Sequence, residues 1–313
     1  MTSALVMDRA AVEAAVSPER AVEAVREAFI AHARGEWSMP PKVYVTNYPA
    51  GDFRAMPALG GGHALLKWIT SFPGNPGRGL PTVTGIVLVS DASTGELRAV
   101  LDAASVTALR TGAAAVLAAE TLGRADAETA AVVGAGVNGR AAARTFLARG
   151  RMVALWDVDA ARAAEAAADL GCAVAGSREE ALAADLLVTV TPGHEVLLHE
   201  RTLRSGQHVS LMGADGPGKA EVAARELVRA RLFCDDWEQA SHGGELAHAV
   251  ADGLVTQDDV TAIGAVLVGT AAGRADAQEI TMFDSTGLAI QDLAVALAAL
   301  DGADRAGLPR LEL

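Results

Sequence analysis

The sequence predicts an α/β protein with two domains, one built on a doubly wound parallel sheet and the other rich in antiparallel strands. Short apolar strands alternate with helices from Ala131 onward, which is the pattern of a parallel sheet covered by helices on both faces. Between residues 42 and 101, strand-like runs follow one another with only turns between them, which favours an antiparallel sheet with one buried face. A chain of 313 residues, 51% of them apolar, is long enough for two hydrophobic cores.

The first part of the chain combines an amphipathic helix with a strand meander. Residues 8–34 carry apolar side chains near helical spacing, and Ser17–Pro18 predicts a break within them. Turns rich in glycine separate the predicted strands, which are 42–46, 53–58, 64–71, 82–90 and 96–101. A helix over 105–122 follows the last of these strands.

The second part alternates strands and helices. The predicted elements are 131–134, 138–149, 152–157, 160–169, 172–175, 177–183, 185–191, 208–212, 232–236 and 281–287. A last helix at 289–299 is expected to return to the first domain.

A glycine motif, AVVGAGVNGR at 131–140, lies where the first of these strands passes into a helix. In a dinucleotide-binding turn, Gly134 permits the sharp turn, Gly136 lets a pyrophosphate approach the backbone, and Gly139 lets helix and strand pack closely. Asp157 ends the next strand, about 20 residues after the glycines, where an acid binds a ribose 2′-hydroxyl. The motif therefore predicts a Rossmann-type site for NAD rather than NADP, because no arginine follows Asp157 immediately. An ordinary glycine turn, with Asp157 as a helix cap, is the alternative.

Composition excludes several classes of function. The formal charge of −13 and the absence of a basic stretch argue against a nucleic-acid partner. No apolar run is long enough to predict a membrane span, and the N-terminus lacks the pattern of a signal peptide. Cys172 and Cys234 are far apart, so they indicate neither a metal site nor a disulfide framework. We expect a cytoplasmic protein.

Lysine usage singles out three positions. Only Lys42, Lys67 and Lys219 are lysines among 26 basic residues. Lysine can lose its proton when it is desolvated, whereas arginine effectively cannot. Lys67 lies in the apolar run ALLKWITS, which predicts a lowered pKa and suits a group that exchanges protons with a substrate. The alternative is a side chain on the polar face of a strand.

Other polar residues in the first domain favour an anionic substrate. Arg54, Arg110 and Lys42 supply cations that suit a substrate carboxylate, although each is also compatible with an ordinary surface charge. In the second domain, Thr191 and the 213–219 loop, which begins at Gly213, follow strand ends where a nicotinamide is expected.

Asp215 lies in that loop, GADGPGK, and suits either proton transfer or the binding of a substrate ammonium. A turn aspartate is the alternative. Lys219 in the same loop suits a cofactor phosphate or ribose. His194, His208 and His242 are weaker candidates for a general acid than Lys67.

Taken together, the motifs MPPKVYV, GDFRAMPAL, LLKW, FPGNPGRGLPTVTG, TALRTGA, GAGVNG, GADGPGK, GEL and FDSTGLAIQD resemble the ornithine cyclodeaminase/μ-crystallin family. Within that family the sequence is most similar to archaeal-type alanine dehydrogenases. The motifs extend from about residue 39 to 292, which is nearly the whole chain.

The resemblance implies a homodimer in which residues 1–120 and 288–313 form the substrate-binding and dimerisation domain, while residues 121–287 bind NAD. By motif, Lys67 handles protons, Arg110 binds the substrate carboxylate, Asp215 assists as acid or base, and Lys42 lines the same pocket. The implied cofactor-contacting positions are Thr82, Thr111, Asn138, Gly139, Asp157, Thr191, Lys219 and Ser285.

One position departs from the ornithine cyclodeaminases. Those enzymes have a glutamate where this chain has Arg54, which would repel the side-chain ammonium of ornithine and accept a carboxylate. The expected reaction is therefore hydride transfer between NAD and the CH–NH2 or C=N group of a small amino or imino acid. Two alternatives remain open, namely a cyclodeaminase that returns the hydride within one turnover and a non-enzymatic binding protein of the μ-crystallin type.

Overall fold

The structure, a computed structural model, describes residues 3–193, 195–216 and 218–312. It contains two compact units, one formed by the residues up to Arg110 together with those from Leu288 onward, and the other by Thr111–Gly287. The boundary that we predicted at residue 120 lies ten residues earlier, at Arg110/Thr111. The reason is local packing, because Gly112 lies against Ala141 and the Ala115 carbonyl accepts a hydrogen bond from Ser210, both in the second unit.

Elements of the first part follow the predicted order with one addition at the N-terminus. They are β1 (Ser3–Met7), α1 (Arg9–Ala15), α2 (Pro18–Ala33), β2 (Val43–Asn47), β3 (Gly51–Gly60), β4 (His63–Ser71), β5 (Val83–Asp91), β6 (Leu97–Asp102) and α3 (Ala103–Leu122). The break between α1 and α2 is confirmed. The Ser17 hydroxyl accepts a hydrogen bond from the backbone of Arg20, and Pro18 occupies the first turn of α2.

The second unit alternates strands and helices as predicted. Its elements are β7 (Ala130–Val133), α4 (Val137–Ala148), β8 (Val153–Trp156), α5 (Ala160–Leu170), β9 (Ala173–Val174), α6 (Arg178–Leu182), β10 (Leu186–Thr189), β11 (His208–Leu211), α7 (Ala224–Leu227), β12 (Arg231–Cys234), α8 (Trp237–Gly243), α9 (Leu246–Ala251), β13 (Val260–Ala262), α10 (Ile263–Leu267) and β14 (Thr281–Asp284).

The sheet of the second unit has the order β13-β12-β14-β11-β10-β7-β8-β9, and all its described pairs are parallel. This confirms the doubly wound α/β class. Chain order reverses between β7 and β10, and ligands of such sheets bind beyond the carboxyl ends of the strands at that point. Gly134 follows β7 directly, and Thr191 comes two residues after β10.

The first unit also contains the last elements of the chain, the helix α11 (Ala289–Gly302) and the strand β15 (Arg310–Glu312). The order of the sheet in this unit is β15-β1-β6-β5-β4-β3-β2, with the predicted antiparallel meander from β2 to β6. We did not predict β1 or β15, which extend the sheet beyond β6. As expected, α11 returns to this unit, where it packs against α2, β3 and β4. No helix within the described ranges is both long and apolar enough to cross a membrane.

The glycine turn after β7 shows why each glycine is needed. Gly134 has a φ of 107°, a conformation that residues with a side chain rarely adopt. A Cβ on Gly139 would overlap the Gly134 carbonyl oxygen, whereas a Cβ on Gly136 would meet nothing within 4 Å. Gly139 therefore serves the packing of α4 on β7, while Gly136 leaves its side of the turn open.

We expect Gly139→Ala to lower the thermal midpoint by about 5 °C, because overpacking at this point costs about 1–3 kcal/mol. In a helix without such a close contact, a change from glycine to alanine stabilises the folded state by about 0.5–1 kcal/mol. A lowered midpoint would therefore indicate that the close contact outweighs this gain. Gly136→Ala is the matched control and should change the midpoint by less than half as much, since its backbone is extended and its surroundings are open. Equal midpoints for Gly139→Ala and the native chain, measured by circular dichroism, would contradict the packing role.

Candidate functional site

Lys67 is the centre of a buried polar cluster in the first unit. Its side chain on β4 is 1% exposed, and its Nζ lies 2.7 Å from Oδ2 of Asp292 on α11, which is fully buried. Nε of Arg110, on α3, lies 3.4 Å from the other carboxylate oxygen of Asp292. The Lys67 Nζ also donates a long hydrogen bond of 3.4 Å to the Thr107 hydroxyl. One carboxylate thus joins two cations, and the burial of Lys67 excludes the alternative of a side chain on the polar face of a strand.

The pKa of Lys67 falls from its ordinary value of 10.5 to about 8. Burial is the main cause, since it disfavours the charged ammonium, and the charges of Arg110 and Lys42 act in the same direction. Asp292 opposes them and raises the pKa through its charge and its hydrogen bond. Lys67 therefore exchanges a proton near neutral pH, which an isolated lysine does not do.

The other predicted cations of the first unit lie on or beside β2 and β3. Arg54 on β3 donates from Nε to Oδ1 of Asp52 at 2.6 Å and from Nη2 to Oδ2 at 3.3 Å, and its guanidinium lies 5.3 Å from the centre of the Tyr44 ring. Lys42 is half-buried just before β2 and is close enough to influence Lys67. Arg54 is therefore not a free cation, because Asp52 balances its charge, which we did not predict.

Thr82 lies just before β5. Its backbone carbonyl accepts a hydrogen bond from Phe72, which closes the loop between β4 and β5, and its side chain is half-exposed.

The glycine turn of the second unit presents an open helix terminus. Gly136 is the N-terminal cap of α4, and it offers no side chain to the first backbone N–H groups of that helix. Asn138 lies in this first turn and is half-buried. Uncapped N–H groups at a helix start, together with the helix dipole, form a site for an anion.

Asp157, directly after β8, is 8% exposed, and both of its carboxylate oxygens have partners. Oδ2 accepts from the Ala135 backbone at 2.7 Å, which ties the carboxylate to the glycine turn. Oδ1 accepts from the Asp159 backbone at 2.9 Å and from Nη1 of Arg162 at 3.2 Å. No arginine follows Asp157 immediately in the sequence, but the first turn of α5 brings Arg162 to it.

Glu221 is a buried acid that organises the loops after β10 and β11. Its carboxylate accepts from the hydroxyls of Thr189 (2.7 Å) and Thr191 (2.6 Å), from the Thr191 backbone (2.7 Å) and from the Gly213 backbone. Glu245 in turn accepts from the backbone N–H groups of Glu221 and Val222. The predicted cofactor positions Thr191 and Gly213 are thus held by one side chain.

Burial raises the pKa of both acids. For Glu245 the charges of Glu221 and Asp284 raise it further, whereas for Glu221 the hydroxyl and backbone donors lower it. Of the two acids, Glu245 carries the more strongly raised pKa.

The four remaining positions of the second unit, Asp215, Lys219, Ser285 and Thr111, differ in their surroundings. Asp215 forms an ion pair with Lys219 at 2.5 Å, so our two candidates from the GADGPGK loop are partners of one another. The Ser285 hydroxyl donates to Asp235 at 2.9 Å. The buried hydroxyl of Thr111 has no hydrogen-bond partner in the described part of the chain. A bound ligand could supply the missing hydrogen bond at this position.

Of the three histidine candidates, the structure describes His208 and His242. His208 is buried between the Thr281 and Ser210 hydroxyls, at 2.9 and 3.0 Å, and burial lowers its pKa to about 3. It is therefore a neutral structural residue. His242 bonds to the Glu238 carbonyl within its own helix at 2.7 Å, and His194 lies outside the described residues.

Our sequence analysis missed two acids, Asp292 and Glu221. Each had a detectable signal, because Asp292 interrupts the apolar helix AIQDLAVALAAL as Lys67 interrupts its strand, and Glu221 follows the GADGPGK loop. A charged residue in an apolar run indicates a buried partner of opposite sign. Because Lys67 and Asp292 both interrupt apolar runs of the same domain, the sequence could have suggested that they form an ion pair.

Comparisons with known proteins agree with this architecture. A model of the ornithine cyclodeaminase/mu-crystallin family matches residues 2–305. Alanine dehydrogenase of Archaeoglobus fulgidus is 41% identical over 309 residues, which cover 96% of this chain and 95% of that protein. Iminosuccinate reductase of Paracoccus denitrificans is 32% identical over 94% of each chain. A solved archaeal alanine dehydrogenase dimer with bound NAD matches with a TM-score of 0.94 and 39% identity, covering 99% of both chains. With a match that extends over almost its whole length, the chain belongs to the ornithine cyclodeaminase/mu-crystallin family.

Proposed function

We propose that this protein is an NAD-dependent oxidoreductase that acts on the CH–NH2 or C=N group of a small amino or imino acid. Its substrate class is that of an alanine dehydrogenase or a cyclic imino acid reductase. The observation that carries the proposal is the buried cluster of Lys67, Asp292 and Arg110. It provides a lysine that titrates near pH 8 beside an arginine, as amino acid chemistry at neutral pH requires. The relatives named above, an alanine dehydrogenase and an iminosuccinate reductase, support the same class of reaction.

The residues of the second unit fit a bound dinucleotide. The open start of α4 at Gly136 suits the pyrophosphate, Asp157 suits the adenosine ribose, and the unsatisfied Thr111 hydroxyl suits a further polar contact. We assign Asn138, Gly139, Thr191, Gly213, Lys219, Ser285 and Thr82 to the same cofactor, as the family motifs imply. When bound, NAD supplies a hydride acceptor or donor that the twenty amino acids lack.

We assign the substrate carboxylate to Arg110 and Lys42. Arg110 approaches Asp292 through Nε, so its two Nη groups form the edge that suits a bidentate carboxylate. Lys67 then moves the protons. In the oxidative direction its neutral form accepts the proton that water loses on adding to the iminium carbon, and in the reductive direction its ammonium form donates a proton to the imine nitrogen.

Asp215 is a weaker candidate for proton transfer than Lys67. Its ion pair with Lys219 holds the carboxylate on a cation, so proton transfer by Asp215 requires that this pair loosen. Asp215 therefore stays a proposed assistant to Lys67 rather than the main acid or base.

The first test is an NADH oxidation assay with the purified protein. The substrates are pyruvate with ammonium, other small 2-oxo acids, and Δ1-pyrroline-2-carboxylate. We expect turnover with at least one of them, and we expect Lys67→Ala and Lys67→Arg to lower kcat by about 10²–10⁴-fold, the usual contribution of a general acid–base group. Lys67→Arg keeps a positive charge that does not titrate, so it separates proton transfer from charge.

Two outcomes would favour the alternatives. Ammonia release from ornithine or lysine without a net change in NADH would identify a cyclodeaminase. Tight binding of NADH with no turnover of any substrate would identify a binding protein of the μ-crystallin type, for which Lys67→Ala would have no kinetic consequence.

The pH dependence gives a second prediction. Reduction of a cyclic imino acid needs the ammonium form of Lys67, so kcat should fall as pH rises through about 8. Asp292→Asn removes the charge that raises the pKa of Lys67, while burial, Arg110 and Lys42 continue to lower it. The falling limb should therefore move to lower pH in this variant. Asp301→Asn, an exposed position on the same helix, is the control and should leave the profile in place. An unchanged limb in Asp292→Asn would show that Lys67 is not the titrating group.

We further propose that the protein is a homodimer formed through the outer face of the first sheet. One row across this face joins Val43, Ala55, Trp68 and Ile86, which are directly opposite one another on β2, β3, β4 and β5. Three of these side chains are large, apolar and exposed. A contiguous apolar row on a sheet marks a protein interface, and the similar archaeal alanine dehydrogenase is a dimer.

Ile86→Asp should convert the dimer to a monomer in light scattering coupled to gel filtration, because it places a charge in the exposed apolar row. Met152→Asp is the matched control, since Met152 is an exposed apolar residue of the second unit and not a member of this row. A native chain that runs as a monomer, or an Ile86→Asp variant that stays dimeric, would contradict this interface.

A further inference from the structure

We propose that Arg162 is a latent binding site for a 2′-phosphate, and that Asp157 keeps it blocked. On this view Asp157 does more than accept a hydrogen bond from a ribose hydroxyl. It also occupies the guanidinium that would otherwise recognise NADP(H). The inference deepens the proposed cofactor site and rests on it, but it does not depend on the identity of the amino or imino acid substrate.

The geometry of Arg162 is the first argument. Its Nη1 lies 3.2 Å from Oδ1 of Asp157, and its Nη2 lies 3.3 Å from Oδ2 of Asp159. The side chain is half-exposed, whereas Asp157 is almost fully buried. One planar fork thus bridges two carboxylates at the end of β8, where the adenosine ribose of a dinucleotide is recognised. The guanidinium fork binds phosphate in the same bidentate manner as carboxylate.

Charge is the second argument. Asp157 and Asp159 together outnumber Arg162 by one negative charge, so the native site repels a phosphate dianion. Asp157→Asn removes that excess and frees one edge of the guanidinium. The amide oxygen of asparagine still accepts from the Ala135 backbone, so the contact between this position and the glycine turn is retained.

Asp159 has a separate structural task. Its Oδ1 accepts from the backbone N–H groups of Ala161 and Arg162, which caps the start of α5. Because the capping side chain already occupies these backbone donors, a phosphate at this point would be recognised by the Arg162 side chain rather than by the helix terminus. For the same reason Asp157, and not Asp159, is the position at which cofactor preference is set.

The test measures dissociation constants by fluorescence titration of the full-length protein with NADPH and with NADH. We expect the native chain to prefer NADH, and Asp157→Asn to bind NADPH at least about ten-fold more tightly than the native chain, the size of one charge-assisted hydrogen-bonded contact. Asp157→Asn/Arg162→Ala should lose this gain. Asp157→Asn/Arg178→Ala is the matched control, because Arg178 is another partly exposed arginine of this unit that pairs with acids, and it should keep the gain.

Two results would overturn the inference. If Asp157→Asn/Arg162→Ala keeps the improved affinity for NADPH, the loss of repulsion alone accounts for it and Arg162 is not the ligand. If Asp157→Asn folds and binds NADH but gains nothing for NADPH, no latent site exists. Should Asp157→Asn not fold, Asp157→Ser replaces it under the same criteria.

The titration also separates this inference from the proposed function. Failure of turnover with every amino and imino acid, with NADH still bound, removes the proposed reaction and leaves the comparison of NADPH and NADH intact. If the native chain binds neither nucleotide, the proposed cofactor site is wrong and the inference falls with it.

Discussion

The buried ion pair between Lys67 and Asp292 is the constraint on which the first unit depends. An ammonium removed from water without a partner costs several kcal/mol or loses its proton, so Lys67 in the centre of an apolar strand requires an acid within contact distance. The sheet offers none next to it, since Met56 and Val87 are its partners on β3 and β5. The acid comes instead from α11, the last helix of the chain. The return of the C-terminal helix to the first unit is therefore an electrostatic requirement as well as a packing contact.

The same pair supports a chemical rather than a stabilising role. Buried ion pairs are often replaced by apolar residues with no loss of stability, so a fold gains little by burying one for its own sake. Here the acid balances the lysine only in part, because Arg110 shares the same carboxylate and burial outweighs the attraction. The result is a lysine with a pKa near 8, which is the property that a proton carrier needs. Arginine could carry the positive charge here but could not release a proton. A lysine at this position is therefore notable in a chain that uses arginine for nearly all its other cations.

The fold was predictable where local chemistry determines it, and less so where distant residues do. The glycines of the β7–α4 turn, the strand meander and the break at Ser17–Pro18 follow from backbone sterics and periodicity. In contrast, β1 and β15 are short segments without turn signals, and they become strands only because β6 is available to pair with β1. Within the site, Lys67 and Arg110 were visible as cations in apolar or small-residue surroundings. The partnerships of Arg162 with Asp157, Lys219 with Asp215 and Glu221 with Thr191 were not, because each depends on side-chain directions at a helix start or in a loop.

Arg54 shows why the charge of a single side chain is an incomplete argument about a substrate. In the sequence, a cation where ornithine cyclodeaminases have a glutamate suggests a site that repels a side-chain ammonium and accepts a carboxylate, which favours a small amino or imino acid over ornithine. In the structure both carboxylate oxygens of Asp52 accept a hydrogen bond from the Arg54 guanidinium, and this ion pair carries no net charge. Neither kind of charged side chain therefore finds a strong partner there, since an ammonium would still meet the arginine and a carboxylate would have to displace Asp52. Residues 52 and 54 together are thus in agreement with the compact, uncharged substrate side chain of the class that we propose.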